Sequence, residues 1–261
     1  MDVSRRETLA LGSGVVLGAL GLGLGLEIKD RIDEQGPLPV YGGPESAIRP
    51  DRSPTRATTA PVVWSGTTQR KRIALTFDDG PHPDWTPRVL TALGKEQVPA
   101  TFFCVGANVR DHGSIHRGSI GTHELANHTF DHPDLARLPL GQSREQLERT
   151  NEIMEKTYGA APTLFRPPYG HLGGASLLAA AELGLTPTLW SAQAREDLVR
   201  DHPDDIVADI AGQLRPGSIV LMHDTGPADR RITIDHLERL VSTLRDDGWS
   251  FVTVSELLAN P

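Results

Sequence analysis

The chain has 261 residues, with 26 Lys or Arg against 34 Asp or Glu, so its formal charge is −8 at pH 7. This charge argues against a nucleic-acid-binding protein, because neutralising phosphates requires clustered basic side chains. Cys104 is the only cysteine, which excludes an intrachain disulfide and a thiolate cluster, so a bound metal would need histidine and carboxylate ligands. The length fits one large domain with a leader and a linker.

Residues 1–26 differ in character from the rest of the chain. Arg5 and Arg6 precede an uncharged, glycine-rich stretch over residues 8–26, a pattern that resembles a twin-arginine export signal. The stretch approaches the roughly 20 residues that cross a bilayer, and no Ala-x-Ala cleavage site follows it. We therefore expect an export signal or an uncut membrane tether. The protein would be secreted or held at the outer face of the cytoplasmic membrane.

Residues 27–70 are rich in Pro, Gly, Ser and Thr and show no sustained hydrophobic period. This composition is typical of a disordered linker. A folded domain is therefore expected over residues 71–258.

Within that domain, short β-branched or aromatic runs alternate with stretches of helical period. The predicted strands are Ile73–Phe77, Ala100–Val105, Glu124–Asn127, Thr163–Arg166, Thr188–Ser191, Ser218–Met222 and Ser250–Val254. The predicted helices are Thr86–Gln97, Ser143–Tyr158, Ala175–Leu183, Pro203–Leu214 and Ile232–Asp247, with a frayed or shortened helix over Asp111–Thr122. A Ser-x-x-Gln capping box is expected at Ser143 and Gln146. The alternation predicts an α/β fold, and this pattern alone allows an open sheet or a barrel.

The first predicted strand ends in two adjacent carboxylates, in the stretch "LTFDDGPHP". Consecutive side chains of a regular strand point to opposite faces, so Asp78 and Asp79 meet at one site only where the strand has ended. Two carboxylates this close raise each other's pKa unless a cation lies beside them. One aspartate would then bind the ion, and the other would act as a base beside it. A solvated turn is the alternative.

The third predicted strand runs into "NHTFDHPDL". His128 and His132 are four residues apart, which on a helical turn places both imidazoles on one face. Two histidines and one carboxylate leave coordination positions open for water and substrate, which is the pattern of catalytic zinc. A surface histidine pair is the alternative for this motif taken alone.

Four segments in this order resemble the signature motifs of the NodB-like polysaccharide deacetylases, carbohydrate esterase family 4. They are "TFDDGPHPDWTPRVL", "GTHELANHTFDHPDL", "RPPYG" and "LMHD". The resemblance covers residues from about 71 to 258. It implies an irregular (β/α) barrel of about seven strands and an enzyme that removes N-acetyl, and sometimes O-acetyl, groups from chitin, peptidoglycan sugars or xylan.

By matching position, the resemblance makes Asp79, His128 and His132 ligands of a divalent ion, most commonly zinc, with cobalt, nickel or manganese as alternatives. Asp78 matches the general base, and Arg166 matches the residue that orients that base.

The remaining motifs supply two further roles. Tyr169 matches the residue whose backbone N–H helps to hold the oxyanion, and His223 matches the general acid that protonates the departing amine. Trp85 and Trp190 lie next to these motifs and are candidates for stacking on sugar rings, although core packing is the commoner role of a tryptophan.

The chain departs from the family after its fifth predicted strand. Gln193 in "WSAQAREDL" stands where members commonly carry an aspartate that tunes the acidic histidine. Gln193 can orient His223 by hydrogen bonding but cannot stabilise its imidazolium as a carboxylate would. We therefore expect a lowered pKa of His223 or a substitute role for Glu196.

The sequence thus predicts an exported, metal-dependent deacetylase of an acetylated polysaccharide or oligosaccharide, acting as a monomer. A catalytically silent glycan-binding domain and an acetyl-xylan esterase with the same site remain open as alternatives.

Overall fold

A computed structural model describes residues 61–119 and 121–259. Its strands are β1 (Arg72–Asp78), β2 (Thr101–Cys104), β3 (Glu124–Asn127), β4 (Leu164–Phe165), β5 (Thr186–Pro187), β6 (Ala192–Gln193), β7 (Ile219–His223) and β8 (Ser250–Phe251). Its α-helices are α1 (Thr86–Glu96), α2 (Gly106–His112), α3 (Leu140–Tyr158), α4 (Gly174–Glu182), α5 (Ile206–Gln213), α6 (Arg231–Asp235), α7 (Leu237–Asp246) and α8 (Val254–Ala259).

The strands form one curled parallel sheet in the order β5-β4-β3-β2-β1-β7-β6, and β8 pairs with the first residues of β1. This confirms the α/β fold and the expected irregular barrel. In the register of the sheet, Asp78 lies opposite Phe103 of β2 and opposite His223 of β7. The carboxyl ends of the parallel strands therefore bring their reactive side chains to one edge of the sheet.

The central strand β1 is buried along almost its whole length. Phe77 of β1 stacks on Phe102 of β2 with ring centroids 5.1 Å apart. Helices α1 and α7 cover this side of the sheet with buried aliphatic side chains such as Val89, Leu240 and Leu244. Removing these apolar surfaces from water makes the sheet a rigid base for the groups at its edge.

A segment before β1 belongs to the packed domain. Val63 forms a bridge with Thr188, and Ser65 forms one with Ser218, so the segment joins the chain beyond β5 to the start of β7. Gly66 is buried, and its N–H donates to the carbonyl of Gly217 (2.8 Å). The packed part of the chain thus includes residues 63–66, which lie within the predicted linker.

The rest of the linker and the whole predicted leader, residues 1–26, lie outside the described residues. Among residues 61–119 and 121–259, no helix combines the length and apolar character needed to cross a bilayer.

Several predicted elements differ from the structure. Two strands of two residues, β5 and β6, lie on either side of the predicted strand Thr188–Ser191, because the chain there crosses from one partner strand to another. The expected frayed segment is helix α2 followed by a 3-10 helix over Gly113–Ser119. A short 3-10 turn precedes α5, and the predicted last helix is split into α6 and α7.

The predicted capping box of α3 is wrong. The helix begins at Leu140, three residues before Ser143, and the hydroxyl of Ser143 donates to the carbonyl of Leu138 (3.4 Å). The side-chain oxygen of Gln146 instead accepts hydrogen bonds from the backbone of Phe130 and Asp131 (3.0 and 2.9 Å). Gln146 therefore supports the histidine loop, the segment after β3 that carries His128 and His132, rather than the start of its own helix.

Candidate active site

The two adjacent aspartates reach one pocket because the strand ends between them. Asp78 is the last residue of β1 and is 3 % exposed. Asp79 has φ +78°, in the left-handed region, so the chain turns at once. The side chain of Asn108 donates to the carbonyl of Asp79 (2.7 Å), and the carboxylate of Asp224 accepts from the N–H of Gly80 (2.9 Å). These bonds hold the turn in place.

His128 and His132 also converge, although not on the helical turn that their spacing suggested. They lie in a loop after β3, where Thr129 and His132 both have positive φ values, of 67° and 57°. The side chain of Asn127 accepts from the N–H of Thr129 (2.8 Å), and the hydroxyl of Thr129 accepts from the N–H of His132 (3.1 Å). Side-chain hydrogen bonds therefore shape this loop in place of helical ones.

Asp79 and the two histidines present one ligand atom each to a common point. The Oδ1 atom of Asp79 lies 3.3 Å from Nε2 of His128 and 3.1 Å from Nε2 of His132. One donor atom from each residue lies within 4.8 Å of the others. The Nδ1 atom of His128 lies 2.7 Å from the carbonyl of Arg166, which turns Nε2 towards Asp79. A backbone partner of this kind is usual for a metal-ligating histidine.

The Oδ1 atom of Asp79 fits a cation. It is buried and has no hydrogen-bond partner within the described part of the chain, despite the two nearby imidazoles. Burial opposes the charged form, but the two histidines outweigh it and lower the pKa of Asp79 far below its usual range. An ionised, unpaired oxygen beside two imidazoles is a donor set suited to a divalent ion such as zinc.

Asp78 is fixed by a completely buried arginine. The Nη1 atom of Arg166 donates to Oδ1 of Asp78 (2.7 Å) and to the hydroxyl of Thr76 (2.8 Å). Its other nitrogens donate to the carbonyls of Thr188 (3.1 Å) and Leu189 (3.0 Å). One oxygen of Asp78 is thereby occupied, while Oδ2 stays on the side of His128, 3.8 Å from its Nε2.

These groups surround a pocket of about 100 Å³. Its lining includes Asp78, Asp79, His128, His132, Tyr169 and His223. Six of the seven predicted site residues therefore share one pocket, and the seventh, Arg166, lies behind Asp78.

Tyr169 and His223 each leave a polar group free at this pocket. Tyr169 has φ +61°, and its backbone N–H makes no hydrogen bond among the described residues. The Nδ1 atom of His223 is buried and likewise has no partner within residues 61–119 and 121–259. Burial, followed by the nearby charge of Arg230, lowers the pKa of His223 to about 4. The direction agrees with the sequence prediction.

Neither residue proposed to assist His223 forms a hydrogen bond with it among the described residues. The side-chain oxygen of Gln193 accepts from the indole N–H of Trp190 (3.0 Å). The carboxylate of Glu196 accepts from the hydroxyl of Thr233 (2.6 Å), and burial raises its pKa. The prediction that Gln193 orients His223, and the substitute role for Glu196, are therefore both wrong.

The two candidate tryptophans, Trp85 and Trp190, lie in different environments. Trp190 lines the pocket, whereas Trp85 packs against the buried core beside α1. Sequence reasoning also missed a residue of the pocket: Arg230, whose Nη1 atom donates to Oδ2 of Asp79 (2.7 Å). The one signal in the sequence is its position in the loop after β7, seven residues beyond His223.

Comparison with known proteins agrees with this geometry. A family model described as polysaccharide deacetylase matches residues 65–188. The chain is 34% identical over 196 residues to a peptidoglycan-N-acetylglucosamine deacetylase of Bacillus cereus, covering 75% of this chain and 71% of the relative. The chain belongs to the polysaccharide deacetylase family.

Two further similarities bear on this family. A chitooligosaccharide deacetylase of Sinorhizobium fredii is 37% identical over 207 residues, covering 75% of this chain and 91% of the relative. The solved structure of the peptidoglycan N-acetylglucosamine deacetylase Bc1960 in complex with 4-naphthalen-1-yl-N-oxidanyl-benzamide has a TM-score of 0.71 and 31% identity, covering 77% of this chain and 94% of that chain. The chain is accordingly a hydrolase, a polysaccharide deacetylase.

Proposed function

We propose that the protein is an exported, metal-dependent enzyme that removes acetyl groups from N-acetylglucosamine units of peptidoglycan or chitin-like oligomers. The convergence of Asp79, His128 and His132 beside the separately held Asp78 carries this proposal. The peptidoglycan-N-acetylglucosamine deacetylase and the chitooligosaccharide deacetylase described above support the substrate class, because both are named for the deacetylation of glucosamine-containing glycans.

The ligand set would be Asp79, His128 and His132. A divalent ion held by these residues, zinc by preference and cobalt, nickel or manganese as alternatives, would serve as a Lewis acid for the acetyl carbonyl and for water. The chain's own contribution begins with Asp78. Since Arg166 occupies its Oδ1 atom, Oδ2 is the oxygen that accepts the proton of the attacking water.

Two groups act on the carbonyl oxygen and on the nitrogen of the acetamide. The unpaired backbone N–H of Tyr169, a residue that lines the pocket, donates to the developing oxyanion. His223 gives a proton to the departing amine. Its buried ring has no carboxylate partner among the described residues, so its cationic form is poorly stabilised before substrate binds.

This feature of His223 favours one second candidate, an acetyl-ester hydrolase acting on a glycan such as xylan. An alkoxide leaving group needs less assistance from an acid than an amine does. The ratio of activity on an N-acetylated and an O-acetylated oligosaccharide separates the two substrates.

Export by the twin-arginine route and a membrane tether through residues 8–26 complete the proposal, with the enzyme acting as a monomer at the cell envelope. Replacing Arg5 and Arg6 together by lysine should keep the protein inside the cell, as measured by fractionation and immunoblotting. Unchanged export of that variant would argue against this route.

The decisive experiment measures acetate released from chitooligosaccharides and from peptidoglycan, with and without a chelator. Chelation should abolish release and added zinc should restore it. Asp78→Asn should bind the glycan without turning it over. Equal glycan binding by wild type and Asp78→Asn, with no turnover by either, would instead indicate a silent glycan-binding domain.

A further inference from the structure

Arg230 extends from the loop after β7 into the pocket. Its Nη1 atom donates both to Oδ2 of Asp79 (2.7 Å) and to the backbone carbonyl of Thr225 (3.0 Å). The side chain is 26% exposed. Its guanidinium is therefore held at a fixed place by its own loop, and it occupies one oxygen of the aspartate whose other oxygen faces the two imidazoles.

The loop packs closely on this guanidinium. Gly226 has φ +125°, and a Cβ atom at this position would lie 2.5 Å from Nη1 of Arg230 and 2.8 Å from its Cδ. The backbone conformation favours glycine here, and an added Cβ atom would displace the side chain of Arg230. The arginine is a built part of the site rather than a mobile surface residue.

Each of the two adjacent aspartates has one carboxylate oxygen paired with an arginine. Arg166 occupies Oδ1 of Asp78, and Arg230 occupies Oδ2 of Asp79, so that each carboxylate keeps one oxygen for chemistry. A carboxylate with both oxygens available can bind a metal through both of them. A carboxylate with one oxygen engaged by a fixed arginine is restricted to the other.

We propose that Arg230 is a positioning residue that restricts Asp79 to single-oxygen ligation of the active-site ion. This inference deepens the proposed function and rests on it. Restricting Asp79 in this way leaves coordination positions open for water and for the acetyl carbonyl, which is what a catalytic site requires.

Cobalt substitution tests the proposal without using activity. Absorption of Co²⁺ in the visible range weakens as its coordination number rises. Arg230→Met keeps the aliphatic stem but frees Oδ2 of Asp79, so the molar absorptivity of the Co²⁺-loaded variant should fall below that of wild type. Arg230→Lys, which retains a cationic donor, should stay near the wild-type spectrum. Arg231→Met is the matched control, because Arg231 is the exposed neighbour and makes no contact with Asp79.

Gly226→Ala provides a second test, because the added Cβ displaces Arg230 without removing it. It should reproduce the spectrum of Arg230→Met. Identical spectra of wild type, Arg230→Met and Gly226→Ala, all loaded with one Co²⁺, would overturn the proposed role of Arg230 and leave the proposed metal-dependent function standing. Failure of the wild type to bind Co²⁺ would instead contradict the proposed metal-dependent function.

Discussion

Arg166 offers a direct test of how the site is held together. Its charge is completely buried, and its nitrogens satisfy Asp78, Thr76 and the carbonyls of Thr188 and Leu189. Arg166→Met removes the charge and all of these donors while keeping an apolar side chain of similar length. The variant leaves a buried carboxylate without its partner.

The expected cost is large. An uncompensated buried charge costs about 3–5 kcal/mol, and each buried carbonyl that loses its donor costs roughly 1–3 kcal/mol. Because such terms are not additive and the pocket admits water, we expect Arg166→Met to lower the free energy of unfolding by at least about 4 kcal/mol. Urea denaturation of chelator-treated protein measures this change without a contribution from a metal.

A double-mutant cycle then isolates the ion pair. Asp78→Asn removes the negative charge, so the double variant Arg166→Met/Asp78→Asn should recover about 2–3 kcal/mol relative to additivity. A loss below about 1 kcal/mol in Arg166→Met, or strictly additive effects in the double variant, would refute the claim that Arg166 neutralises Asp78.

Three further predictions concern the site and the core. Asp78→Asn should lower kcat for N-deacetylation by about 10²–10⁴-fold while zinc binding persists, as followed by acetate release and calorimetry. His223→Ala should reduce turnover of an N-acetylated oligosaccharide more than that of an O-acetylated one; equal losses would contradict its role as the acid for the amine. Burial, and then the charge of His123, lowers the pKa of His116 to about 4, below its unfolded value of 6.5. The unfolded state therefore takes up the proton first, and stability should fall by about 3 kcal/mol from pH 6.5 to pH 4. His116→Phe should flatten this fall in urea titrations, and an unchanged profile would exclude His116 as its source.

Much of the fold followed from local patterns. β3 has the predicted bounds. α1 begins at the predicted residue, because Pro87 at the start of the helix is a strong local signal, and it ends one residue earlier than predicted. Asp78, Asp79 and His223 could be expected at one edge of the sheet because they lie at strand ends, whereas the roles of all seven predicted residues came from the family resemblance.

The parts that were missed depend on contacts between distant segments. Val63 and Ser65 lie in a stretch of linker-like composition, and only their bridges to Thr188 and Ser218 make them part of the sheet. Arg230 is 151 residues from Asp79. Gln146 resembled a capping residue, but its side chain bonds to the histidine loop 15 and 16 residues away. The local hydrophobic period of a sequence does not reveal which distant residues will become partners.

The central claim is that side chains from separate strands bind one ion and leave Asp78 free of it. Crystals soaked in zinc, with anomalous diffraction recorded on either side of the zinc absorption edge, test it most directly. We predict one peak within bonding distance of Asp79, His128 and His132, with Oδ1 of Asp78 still bound to Arg166. A peak ligated by Asp78 in place of Asp79, or no peak in this pocket, would contradict the account.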